Sequence, residues 1–174
     1  LIDQLTHEKT SFQKTEFPII LLLDNITSEA NLGSIFRLAD AFGVHKVIFC
    51  GTRPNLKSNR LKRTARNTYN TVNFEFQEDA VSSINILKTE GYRALALEIT
   101  SNSKNLHTFE LNQLDQILLI AGNERHGISE EVLKLCEEFY HIQMFGENSS
   151  MNVAQSVGIA LYEITTGFNK FHKK

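Results

Sequence analysis

Two stretches of this chain, PIILLLD (18–24) and QILLIAG (116–122), contain apolar runs without a polar break. A strand with one face in water alternates apolar and polar residues, so an unbroken run needs cover on both faces. Such strands belong in a mostly parallel sheet held between helices. The intervening segments fit that plan. NITSEANLGSIFRLADAFGV (25–44) sets Leu32, Ile35, Phe36, Ala39 and Phe42 at helical spacing, with Gly43 as a natural stop. VHKVIFCG (44–51), TVNFEF (71–76), YRALALEI (92–99) and FYHIQMF (139–145) read as further strands, which makes six. Helices are expected over 78–90, over 128–136 with Ser129 as its N-terminal cap, and from about Asn152, where Val153, Val157, Ala160, Leu161 and Ile164 share a face. The expected fold is α/β, a mostly parallel six-stranded sheet with helices on both faces. The 174 residues fit one domain, taken as 17–174 behind a short N-terminal extension, 1–16.

Composition narrows the class. Apolar residues make up 41% of the chain and charged residues 22%, enough for a real core and against long disorder. No apolar run approaches the ~20 residues of a membrane span. The N-terminus lacks the basic start and apolar centre of a signal peptide, and it begins without Met, as a processed or trimmed chain would. Cys50 and Cys136 form no disulfide framework and read as core thiols. A cytoplasmic protein is expected.

Charge is unevenly spread. The segment KSNRLKRTAR carries Lys57, Arg60, Lys62, Arg63 and Arg66 and no acid, in a chain of net charge −2. Such a run is either a solvated helix surface or a grip on a phosphate-rich partner, RNA among them.

Ligands of parallel α/β sheets bind at the carboxyl ends of strands. Three post-strand loops are rich in Asn, Ser, Gly and Glu: DNITSEANLGSIFR, AGNERHG and FGENSSMN. None matches a dinucleotide fingerprint, a P-loop or a nucleophile elbow, and the six histidines have no metal-ligand spacing. What remains suits a ligand held by backbone groups and neutral side chains. Gly122 and Gly127 allow close approach. Ser149, Ser150 and Asn152 stand at a helix N-terminus, where N–H groups are free. Arg37 lies on the helix side opposite Leu32 and Phe36, where its fork of donors fits a phosphate. Read singly, Asn31 and Ser150 could be helix caps, Arg37 and Glu124 surface charges, and His126 a polar loop residue.

Together the loops resemble the three motifs of the SpoU/TrmH family of RNA ribose methyltransferases, in the SPOUT superfamily. NLGSIFR (31–37) is similar to the first, LIAGNERHGISEEVL (119–133) to the second, and IQMFGENSSMNVAQSVGIALYE (142–163) to the third. Met151 replaces the usual leucine, a volume-conserving change, and Gln155 fills a position often small. The basic segment is less typical of the family.

The resemblance implies methyl transfer from S-adenosylmethionine to a ribose 2′-hydroxyl of tRNA or rRNA, a C-terminal deep trefoil knot, and a homodimer with its site near the subunit interface. It places the cofactor against Glu98, Ala121, Gly122, Ile142, Met144 and Met151, and the reaction among Asn31, Arg37, Glu124, Ser150 and Asn152. No metal and no membrane are implied. In the family the counterpart of Arg37 is proposed as a base. A guanidinium is effectively always charged, so Arg37 is read here as a phosphate clamp that stabilises developing alkoxide charge. Ser150 and Asn152 would position the ribose, and Glu124 would orient Arg37 or Asn31. With only about 16 residues before the first strand, tRNA is favoured over rRNA, gripped by Lys57 to Arg66. The alternatives are an RNA-binding relative without catalysis and an unrelated nucleotide-binding α/β enzyme.

Overall fold

A computed structural model of the chain describes residues 2–6, 9, 10 and 12–172. Its elements are β1 (Phe17–Asp24), α1 (Glu29–Ala41), β2 (Val44–Cys50), α2 (Asn59–Ala65), β3 (Phe74–Gln77), α3 (Ala80–Thr89), β4 (Tyr92–Leu97), β5 (Lys104–Asn105), β6 (Gln116–Gly122), α4 (Glu130–Leu133), β7 (Glu138–His141) and α5 (Val153–His172). Single 3-10 turns stand at Thr68–Asn70 and Leu106–Thr108.

The sheet has seven strands in the order β3-β2-β1-β6-β4-β7-β5, and every pairing is parallel. The two apolar runs lie side by side at its centre, Leu21 opposite Leu119 and Asp24 opposite Gly122. Successive residues of β1 point to opposite faces. Ile19, Leu21 and Leu23 pack with α1, α2 and α5 through Leu32, Phe36, Leu61, Val157 and Leu161. Ile20 and Leu22 pack with α3 and α4 through Ile84, Leu87 and Val132. Cutting any of these leucines or isoleucines to alanine should cost about 2–5 kcal/mol, because both faces are closed.

The structure corrects the expected six strands to seven. The added strand, β5, is two residues long and polar, so no apolar alternation marks it. Other boundaries move for local reasons. Residues 71–72 are held off the sheet because the N–H groups of Thr71 and Val72 donate to the Thr68 carbonyl, so β3 starts at Phe74. Asp79 caps α3 and fixes its start at Ala80. β7 ends at His141, which frees 142–152 as a long loop. The expected helix over 128–136 is cut to Glu130–Leu133: past Leu133 the N–H groups of Leu135 and Cys136 reach back only three residues, to Val132 and Leu133, while at the start the Ile128 N–H goes to the Glu98 carboxylate and the Ser129 N–H to Asp24. Ser129 occupies the cap position but makes no side-chain cap bond. Cys50 is buried as expected; Cys136 is only half-buried. Desolvation by burial pushes both thiols up to about 12, which keeps them protonated and inert. No helix among the described residues is long and apolar enough to cross a membrane.

Candidate active site

The loops after β1, β6 and β7 meet at the carboxyl ends of the central strands. Their meeting is enforced by a chain of hydrogen bonds. Asn152 Nδ2 donates to Asn31 Oδ1 at 2.9 Å, and Asn31 Nδ2 donates to Glu124 Oε1 at 2.9 Å. Glu124 also accepts the Thr27 N–H at 3.1 Å and the Ser28 N–H at 2.9 Å. One carboxylate therefore closes the N-terminus of α1 from a different loop, where the helix dipole favours negative charge. Burial alone would raise the Glu124 carboxyl, but bonds from Asn31, Ser28 and Thr27 outweigh it and hold it below its ordinary value.

Each partner is itself fixed. Asn31 is buried and sits inside α1, whose cap is Ser28 rather than Asn31. Asn152 caps α5, its Oδ1 accepting the N–H groups of Ala154 and Gln155. With both of its ends engaged, the Asn31 amide has one orientation.

A cavity of about 620 Å³ opens beside this chain of bonds. Glu98, Ala121, Gly122, Ile142, Met144 and Met151, the expected cofactor residues, all line it, as do Asn31, Glu124, Ser150 and Asn152. Gly122 is required by packing: a Cβ there would overlap the Gly127–Ile128 backbone. The Glu98 side chain is committed to the Ile99 and Ile128 N–H groups and so shapes the second loop.

Arg37 is absent from this cavity. It is exposed and lines a second, broader groove of about 1020 Å³ between α1, α2 and α5. Arg63 and Arg66 of the basic segment line the same groove, whereas Lys57, Arg60 and Lys62 do not. Glu124 accordingly orients Asn31, and no bond joins it to Arg37 among the described residues. His126 is exposed and lines neither space. No group of acids, histidines and cysteines among the described residues has the arrangement of a metal site.

Four contributors escaped sequence reasoning. Ser28 and Thr27 present the N–H groups that Glu124 takes. Asn123 ties the loops, its Nδ2 donating to the Asn25 carbonyl at 2.7 Å while its Oδ1 accepts the Arg125 and His126 N–H groups. Asp24, whose Oδ2 accepts the Ser129 N–H at 2.8 Å, could have been found: it is the charged residue that ends an otherwise apolar strand.

Comparison with known proteins places this geometry. A profile of the SpoU rRNA Methylase family matches residues 18–162. The chain is similar to a 23S rRNA (guanosine-2′-O-)-methyltransferase of Blochmanniella floridana, 30% identical over 164 residues, which cover 92% of this chain and 62% of that protein. The chain thus spans less than two thirds of that relative's length. In structure it is similar to the A. aeolicus TrmH/SpoU tRNA modifying enzyme, with TM-score 0.81 and 24% identity, covering 91% of this chain and 79% of that one. It also resembles an AdoMet-bound rRNA methyltransferase from Sinorhizobium meliloti, with TM-score 0.78 and 24% identity, covering 87% and 57%.

Proposed function

The chain belongs to the SpoU rRNA methylase family, and from that premise we propose that it transfers a methyl group from S-adenosylmethionine to a ribose 2′-hydroxyl in RNA. The observation that carries the reading is the Asn152–Asn31–Glu124 chain of bonds, which joins the three motif loops at the wall of one cavity. The cavity fits the cofactor in size and chemistry. Its volume lies within the ~300–1,000 Å³ usual for such ligands. Its apolar side is Leu97, Ala121, Ile142 and Met144, and its polar side includes Glu98, Asn123 and Ser149. Bound there, S-adenosylmethionine would supply a methyl group already activated by its sulfonium.

The protein's task is then mainly alignment. Asn31, Asn152 and Met151 line both the cavity and the groove, so the ribose would meet them from the groove side. Ser150, exposed at the cavity rim, would hold a ribose oxygen. Arg37 would clamp the adjoining phosphate and stabilise charge on the departing-proton oxygen; its permanent charge rules it out as the proton acceptor. The far end of the groove is apolar, with Ile159 and Tyr162 exposed beside the half-buried Phe42, which supports a homodimer closed over that end. A C-terminal knot is supported by β7, which lies between β4 and β5 although residues 98–103 join those two strands directly.

The deciding experiment incubates the protein with unmodified tRNA and, separately, rRNA in the presence of methyl-labelled S-adenosylmethionine, then identifies the labelled nucleoside. A 2′-O-methylnucleoside lost in Arg37→Ala is expected, and its parent RNA names the substrate. Cofactor binding without transfer to either RNA would instead favour a non-catalytic RNA-binding protein. Arg37→Lys should lose at least tenfold in kcat/KM, since a lysine cannot form the paired donor fork; near-full activity would sink the clamp.

A further inference from the structure

The second groove holds three arginines and no acid. Arg37, Arg63 and Arg66 line it, and none of them makes a side-chain hydrogen bond or ion pair with a described residue. In a chain with more acidic than basic residues, three unpaired guanidiniums facing one acid-free groove mark a site for anions. Position in the groove gives the anion a second constraint. Asn31 and Asn152 stand at its near end, which is also the cavity wall, and Phe42 and Tyr162 stand 11 and 10 residues further along α1 and α5.

The fold sets α2 against the near half of α1. The Ser58 hydroxyl, the cap of α2, donates to Glu29 in the first turn of α1. One turn on, Gly33 lets the helices touch: a Cβ there would overlap Thr64 Oγ1 and the Leu61 carbonyl. Arg63 and Arg66 lie within two residues of Thr64, so this contact sets their segment against α1 at Gly33, one helical turn before Arg37, and all three arginines line the groove. The glycine of the first motif thus serves the placement of arginines on another helix.

We propose that Arg63 and Arg66 act with Arg37 as a phosphodiester clamp on the RNA strand that enters the cavity, and that Lys57, Arg60 and Lys62 only attract RNA from a distance. This assignment rests on the function proposed above and divides the basic segment into two working parts. The strand runs along the polar, cationic half of the groove, and its target ribose reaches the cavity over Asn31 and Asn152.

The test compares Arg63→Gln/Arg66→Gln with Lys57→Gln/Arg60→Gln/Lys62→Gln, after equal Tm values show that both fold. Substrates are the full RNA and a short nuclease-trimmed fragment around the methylated nucleotide. A mixed-sequence single-stranded RNA hexamer is titrated as a binding probe that needs no catalysis. The inner pair is expected to lower kcat/KM at least tenfold on both substrates, since charge-assisted bonds are lost. It should also flatten the logarithmic salt dependence of hexamer binding by about 0.7 per lost contact. The outer triple is expected to weaken only the full RNA. Equal effects of the two variants on the fragment, or unchanged hexamer binding by the inner pair, would overturn the clamp. A change in dimerisation by the inner pair with RNA binding intact would assign the groove to a second copy of the chain instead. Failure of the wild type to methylate any RNA would count against the proposed function, and the hexamer titration would still decide the clamp.

Discussion

At Glu124, four hydrogen bonds converge on one exposed carboxylate. Its folded pKa is depressed, so its contribution to stability is complete above the ordinary value of 4.5 and is lost as pH falls through the lower folded value. Glu124→Gln should destabilise the protein at pH 7 by about 1 kcal/mol, ~2–4 °C in Tm for a chain of this size. The gap to the wild type should narrow as the pH drops below that value. A gap that stays constant through the acid range would mean the charge is irrelevant. The individual residues were legible because each belongs to a short motif. Their mutual bonds were not: Asn152 to Asn31 bridges 121 residues and Asn31 to Glu124 bridges 93. No local pattern encodes which of several polar neighbours a side chain will choose, and Glu124 chose Asn31 over Arg37.

Among the elements, those set by apolar periodicity came through and those set by side-chain capture of backbone groups did not. Strands β1 and β6 lie where their unbroken runs place them. Helix α4 is shorter than its apolar face implies: Glu98 and Asp24 hold the N–H groups just before it, and past Leu133 its bonds tighten to a three-residue spacing. The contact of α1 with α2 was equally hidden, since Gly33 reads as a loop-side motif residue until the second helix is in place. Gly33→Ala should cost about 1–3 kcal/mol by overpacking. It should also lower RNA affinity several-fold while S-adenosylmethionine binds within twofold of the wild type, measured by parallel titrations. Equal losses of both ligands would show that the substitution disturbs the whole site rather than the placement of α2.

For the molecule as a whole, sequence alternation gave a parallel sheet but not its order, because order depends on which crossover goes to which side. Past the middle of α1 and α5, one face at the far end of the groove lies open while the other packs into the core. Ile159 is 42% and Tyr162 62% exposed, with Phe42 packed edge-on against Tyr162 at 6.5 Å. If the proposed homodimer closes over this face, Tyr162→Lys should shift it towards monomer in sedimentation equilibrium by placing a charge in that apolar contact. A monomeric wild type would remove the homodimer from the reading. The pairing of β1 with β6 has another bearing, on time. Leu21 meets Leu119 across 98 positions of chain, and the last bond of the site waits for Asn152. Loop closure over such separations comes before any contact rewards it, and folds rich in distant pairings form slowly. During synthesis the first motif can pack early on β2 and α2, but the side chains that fix Asn31 follow 93 and 121 residues later. A chain stopped short of Asn152 lacks the side chain that holds Asn31, so the bonds that join the three loops close only after that residue has been made.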